Sequence, residues 1–273
     1  MGQLTTIRVA ETVDSKDLYP LDSFSFKVEG NSGTSKSFYM WTNGTIYATI
    51  RGEESPYFIN SENKNIGTTY EGSGAVYIRW HGTGEIIIEN KHCIGYMVFP
   101  VFLPVVLDLR ELNYMNNLIT FEFNGVCSNA DMSNFSTIGL STLRVNTFGN
   151  LPLNIKPLDE TNITTITFLN LNKVNNLSIK DVAELTKLTT VQLSGYLRDN
   201  TIENFVEKRI ATKPNSGTVN FTSETSTLNG TSLGITKKVK IVFTNNDATV
   251  LIEENSVYVE KANYTNGTWE YEE

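Results

Sequence analysis

The chain has 273 residues, 40% of them hydrophobic and 19% charged, with a net charge of −8 and a pI of about 5.0. That length allows two domains and a small third piece, and that balance describes a folded chain with a hydroxyl- and amide-rich surface. Its densest basic stretch is Lys237-Lys238-Val239-Lys240, too little for a phosphate backbone, so no nucleic-acid partner is expected.

Met1-Gly2-Gln3-Leu4-Thr5-Thr6 has neither the basic region nor the apolar run of a secretion signal. The chain is therefore expected to be made in a host cytoplasm and to leave it by no signal visible here, which suits a place in a virion, a bacterial cell surface being the alternative. Residues 20–95 alternate in period two: Phe24, Phe26 and Val28, then Ile46, Ala48 and Ile50, then Val76, Ile78 and Trp80, then Ile86 and Ile88. Turn signals at Asn31-Ser32-Gly33, Asn43-Gly44, Gly72-Ser73-Gly74 and Gly82-Thr83-Gly84 separate these runs, which predicts a small antiparallel β-sandwich. Trp41-Thr42-Asn43-Gly44-Thr45 is read as a turn. With Phe24-Ser25-Phe26-Lys27-Val28 before it and His81-Gly82-Thr83-Gly84-Glu85 after it, this segment resembles an immunoglobulin-like domain of the PKD type. Trp-Gly-Asp-Gly-Thr is the usual turn in that family, and the present chain departs from it at two positions.

From residue 118 the chain repeats. The phrase is Leu118-x-x-Phe121-x-Phe123, then Leu140-x-x-Leu143-x-Val145, Ile163-x-x-Ile166-x-Phe168 and Leu188-x-x-Val191-x-Leu193, in steps of 22, 23 and 25 residues. One short strand per repeat cannot bury its apolar side alone, so successive copies must stack. The period is similar to that of leucine-rich repeats and implies a solenoid. Tyr96-x-x-Phe99-x-Val101 carries the same spacing 22 residues earlier, so the last sandwich strand is expected to pass its sheet into the repeats. The stretch from Tyr96 to Leu107 is broken by Pro100 and Pro104 and is too short to span a bilayer, so no membrane insertion is expected.

Ser178-Ile179-Lys180-Asp181 predicts a capped helix carrying Val182, Leu185 and Leu188. A capping box at Asn200-Thr201-Ile202-Glu203 predicts another, with Ile202, Phe205, Val206 and Ile210 inward and a stop at Lys213-Pro214-Asn215-Ser216-Gly217. Earlier connections, rich in Asn, Ser and Pro, are expected to be extended or 3₁₀. After residue 216 period two returns in four runs around Val219, Ile241, Val250 and Val257. The expected fold is thus mainly β: an immunoglobulin-like sandwich over 1–95, an irregular leucine-rich-repeat solenoid over 96–215 and a C-terminal β cap or assembly segment over 216–273.

Reactive chemistry is sparse. His81 and His92 are the only histidines, and His92-Cys93 lacks the further convergent donors a metal needs. No nucleophile elbow or phosphate loop occurs. Glu53-Glu54 and Glu253-Glu254 are adjacent on strands and point to opposite faces, so they read as solvated turn acids. Cys93 and Cys127 read as two buried thiols, a disulfide being the alternative. No enzyme activity, cofactor or metal is expected.

If Phe121 and Phe123 point inward, the opposite parity exposes Glu122, Asn124, Arg144, Asn146, Thr167 and Gln192 as one binding face for a protein or polysaccharide. That row contains neither Trp nor Tyr, which contacts usually exploit. Tyr258, Tyr264, Trp269 and Tyr271 are the alternative contact set, for assembly with further copies or a neighbouring protein.

The order of a PKD-like sandwich, Asn/Thr-rich repeats such as Leu185-Thr186-Lys187-Leu188-Thr189-Thr190-Val191-Gln192-Leu193, and a short β tail resembles proteins of gut Bacteroidetes and their crAss-like phages. The resemblance implies a phage virion component: a tail or head fibre, decoration or adaptor protein touching other virion proteins, itself, or a host-surface glycan or protein. The alternative it implies is a bacterial cell-surface adhesin or glycan-binding protein.

Overall fold

The computed structural model describes residues 22–30, 38–52, 56–60, 62–99, 105–135, 139–212, 216–234 and 237–272. The expectations placed on residues 1–6, 31–33, 53–54, 100–101, 104 and 213–215 lie outside the described residues.

The described residues are mainly β. The first eight strands are β1 (Ser23–Val28), β2 (Tyr39–Asn43), β3 (Ile46–Gly52), β4 (Tyr57–Ile59), β5 (Asn65–Gly67), β6 (Thr69–Tyr70), β7 (Ser73–Arg79) and β8 (Gly84–Glu89). Then come β9 (Ile94–Val98), β10 (Val105–Asp108), β11 (Thr120–Phe123), β12 (Val126–Asn129), β13 (Thr142–Val145) and β14 (Thr165–Leu171). Helix α1 (Ile179–Glu184), β15 (Thr190–Gly195), α2 (Ile202–Thr212) and β16 (Gly217–Ser223) follow. The last six are β17 (Thr227–Leu228), β18 (Thr231–Ser232), β19 (Lys238–Thr244), β20 (Asp247–Glu254), β21 (Val257–Thr265) and β22 (Thr268–Tyr271).

One sheet has the order β12-β10-β1-β8-β3-β6; a second runs through fourteen strands, β22-β21-β20-β19-β16-β15-β14-β13-β11-β9-β2-β7-β4-β5. Alternating apolar residues drive both. Phe24, Phe26 and Val28 of β1 are buried while their neighbours are more exposed, as the pleat requires. The two sheets meet through aromatic rings. Phe38 stacks on Phe99 at 4.0 Å, and Phe26 meets both edge-on at 5.4 and 5.8 Å. Each ring so buried contributes about 1.5–3 kcal/mol.

Trp41 is not in a turn. It lies within β2, and between Asn43 and Ile46 the chain crosses from one sheet to the other. β2 pairs with β7 and β9, whereas β3 pairs with β8 and β6. Alternation explains this, because Met40 and Thr42 are buried on either side of Trp41.

The four repeat phrases are neighbouring strands. Thr120, Thr142, Thr165, Thr190 and Asn220 stand side by side in parallel register; so do Phe121, Leu143, Ile166, Val191 and Phe221. β9 joins them but two residues out of the expected phase: Tyr96 faces Thr120 and Met97 faces Phe121. The step here is therefore 24 residues rather than 22. Phe99 still turns inward, edge-on to Phe123 at 5.1 Å.

Both sheets run on past the sandwich. β9 pairs with β2 on one side and β11 on the other, while β10 pairs with β1 and with β12. The expected boundary at 95/96 thus falls inside β9. Beyond 216, β16 extends the parallel row and β19 then turns it antiparallel. One contiguous apolar core runs from Phe24 to Ala262.

α1 carries the expected cap: the Ser178 hydroxyl accepts from Lys180 N, and the Asp181 carboxylate accepts from Ser178 N. It stops at Glu184, so Leu185 caps its end and Leu188 belongs to the turn before β15. α2 is capped one residue later than expected, by the Thr201 hydroxyl accepting from Asn204 N at 3.0 Å. Asn200 instead bonds to Thr225 and Ser226. The Glu203 carboxylate takes Asn229 N and the Tyr271 hydroxyl. The side chains of this box are spent on tying the helix to residues 225–229 and to β22.

Candidate functional site

The outward face of the fourteen-stranded sheet holds a shallow groove of about 270 Å3, and all six residues expected on the binding face line it. Their parity follows from the burial of Phe121, Leu143, Ile166 and Val191 at the adjacent positions. Glu122, Arg144, Thr167 and Gln192 are direct cross-strand partners in that order.

Arg144 sits at the centre. Its Nη1 is 3.5 Å from Glu122 Oε2 and its Nε donates to Thr167 Oγ1 at 3.3 Å. At such exposure the ion pair adds little stability, but it cancels the only two charges in the row. Thr167 is buried, with its hydroxyl engaged by Arg144. Asn124 and Asn146 are also partly spoken for. Asn146 donates to Asn124, and Asn170 donates to Asn146 Oδ1 at 2.6 Å, so the amides form a ladder across neighbouring strands. Glu122, Arg144 and Gln192 remain as the accessible polar groups.

Four aromatics lie on the same face and were not expected there. Trp41 and Tyr96 are direct cross-strand partners, 41% and 38% exposed, and Tyr96 is in turn the neighbour of Thr120. Tyr39 and Tyr77 pair across the next strand, their ring centroids 5.5 Å apart. Burial, with the Tyr77 and Tyr96 phenols close by, raises the Tyr39 pKa. The missed signal was the alternation Phe38-Tyr39-Met40-Trp41, inward and outward by turns.

The terminal aromatics face the other way. Trp269 donates its indole N–H to Glu207 at 2.9 Å, and the Tyr271 hydroxyl donates to Glu203 at 3.2 Å, both on α2. Tyr264, Trp269 and Tyr271 pack on the core through mutual ring contacts at 5.1 and 5.9 Å. Of the four expected assembly residues, only Tyr258 is exposed, with the Lys240 ammonium over its ring. The local contact to α2 engages Trp269 and Tyr271, and Tyr264 packs on the Trp269 ring.

The remaining candidates scatter. His92 Nδ1 lies 2.7 Å from Asp22, and the His81 ring is 6.2 Å from that of Tyr57. Among the described residues no group of three His, Cys, Asp or Glu side chains could hold a metal ion. Cys93 and Cys127 are free thiols, and burial pushes Cys127 up to about 12. Glu253 pairs with Lys238 and Glu254 with Lys261. No helix among the described residues is long and apolar enough to cross a membrane.

The sequence matches no protein-family profile, no curated protein and no solved structure.

Proposed function

We propose that the chain is a non-enzymatic contact protein, a leucine-rich-repeat solenoid capped by an immunoglobulin-like sandwich of the PKD type. In this reading it is a phage virion component, a fibre, decoration or adaptor protein that touches other virion proteins, further copies of itself or the host surface. The observation that carries it is the parallel register of Thr120, Thr142, Thr165 and Thr190, which merges one strand from each coil into a single continuous surface. The 22–25-residue step and the asparagine ladder between coils support the repeat assignment. The virion assignment is supported by the order and texture of the sequence segments.

Virus particles sedimented from the culture that produces the chain are expected to contain it at a fixed stoichiometry by mass spectrometry. Its absence from the particles, together with its release by protease from intact cells, would favour the bacterial adhesin instead.

A further inference from the structure

The aromatic cluster on β2, β7 and β9 and the polar groove on β11 to β15 share one face of one sheet. Six strand spacings separate β7 from β15, a surface roughly 30 Å across. Two kinds of chemistry therefore lie in line. At one end Tyr39, Trp41, Tyr77 and Tyr96 offer ring faces, with Trp41 and Tyr96 the most open. At the other, Glu122 and Arg144 offer planar, forked hydrogen-bonding groups among threonines and amides.

Charge narrows the ligand. Glu122 and Arg144 oppose one another at 3.5 Å, and the outward strand positions around them carry only hydroxyl, amide and aliphatic groups. With a net charge of −8 on the chain, a polyanion is disfavoured. Single-stranded nucleic acid also stacks on aromatic platforms, but it needs a positive groove beside them. A neutral polysaccharide needs what is present. The C–H faces of a sugar ring are apolar and weakly positive, so they settle on the electron-rich face of Trp or Tyr. Ring hydroxyls both donate and accept, which suits carboxylate, guanidinium and amide groups held at fixed spacing.

We infer that this face binds an uncharged polysaccharide, with sugar rings stacked on Trp41 and Tyr96 and the chain running toward Glu122 and Arg144. The inference rests on the contact-protein reading and names the class of ligand for it.

The full chain should be applied to an array of neutral hexose, deoxyhexose and N-acetylhexosamine glycans printed beside sialylated and sulfated ones. Binding is expected on neutral glycans, weakened about tenfold or more by the double substitution Trp41→Ala/Tyr96→Ala. Tyr47→Ala, an equally exposed aromatic on the other sheet, and Tyr258→Ala, at the far end, should change nothing. Should the alanine pair fail to fold by circular dichroism, Trp41→Leu/Tyr96→Leu keeps bulk without the ring face and must show the same loss. Binding confined to acidic glycans, binding indifferent to both double variants, or a blank array would each overturn the inference. Particle composition separates the two readings. A blank array with the chain present in virions leaves the contact protein standing with a protein ligand. Neutral-glycan binding with the chain absent from virions leaves the ligand and removes the virion.

Discussion

Arg209, near the end of α2, places its guanidinium 2.5 Å from the carbonyl oxygen of Leu185, the residue that ends α1. The same group donates to Thr186 O at 2.5 Å, Leu188 O at 3.2 Å and Ala183 O at 3.4 Å. A helix end leaves carbonyls without intrahelical partners, and here one buried fork reaches four carbonyls at the end of α1 and in the turn after it. Arg209→Met would keep the bulk and take this donor from the carbonyls of Ala183, Thr186 and Leu188, while Leu185 O keeps its bond from Leu188 N at 3.1 Å. A loss of about 2–4 kcal/mol is expected in urea unfolding, with only partial recovery in Arg209→Lys, whose ammonium cannot fork. A midpoint shift worth under about 0.5 kcal/mol would refute this role.

Lys91 makes stability depend on pH. It is fully buried, its ammonium donating to Glu111 O at 3.0 Å. Burial lowers its pKa to about 8 against the pull of Glu111 and Asp22. The unfolded chain then binds more protons between about pH 8 and 10.5, so this group's contribution rises with pH across that window and its cost is fully present below it. The span is on the order of 3 kcal/mol. Lys91→Met should flatten the stability profile between pH 7.5 and 10 relative to the parent chain. Parallel profiles in denaturant titrations would sink the claim.

Gly195 and Gly149 both have positive φ, +91° and +58°, yet they differ in space. A Cβ on Gly195 would run into the carbonyl oxygen of Leu171 and come within 2.7 Å of its nitrogen, whereas Gly149 has nothing within 4 Å. Gly195→Ala is expected to cost more than about 2 kcal/mol and Gly149→Ala about 1 kcal/mol, the strain of φ alone. Equal thermal shifts for the two would show that the close approach of Leu171 to Gly195 is not what demands glycine.

Trp269→Ala should act on the fold more than on assembly. Losing the ring and its bond to Glu207 is expected to cost about 1–3 kcal/mol while leaving the mass by light scattering unchanged. A change of mass without a change of stability would return the terminal aromatics to an intermolecular contact.

Strand identity and parity were largely legible along the chain. The alternation Phe121-Glu122-Phe123 is written locally, and so is its recurrence through Leu143, Ile166 and Val191. The inward faces, the four stacked phrases and the cap at Ser178 follow from such short-range pattern, because a strand or coil that misplaces them exposes apolar surface. Glu122, Arg144 and Gln192 were reached by the same counting.

What the tertiary structure alone decided is which distant strands meet. That Trp41 stands opposite Tyr96, 55 positions away in sequence, depends on β2 leaving β3 for the other sheet, and that Tyr96 stands beside Thr120 depends on β9 slipping by two residues. Neither is encoded by period, since a shift of two keeps every side chain on its face and a sheet crossover keeps the alternation intact. The inward turn of Trp269 and Tyr271 likewise needed a carboxylate pair from α2, more than sixty residues upstream, to be in place. Local alternation chose the faces; long-range packing chose their neighbours, because only assembled strands bring such side chains within hydrogen-bonding and stacking distance.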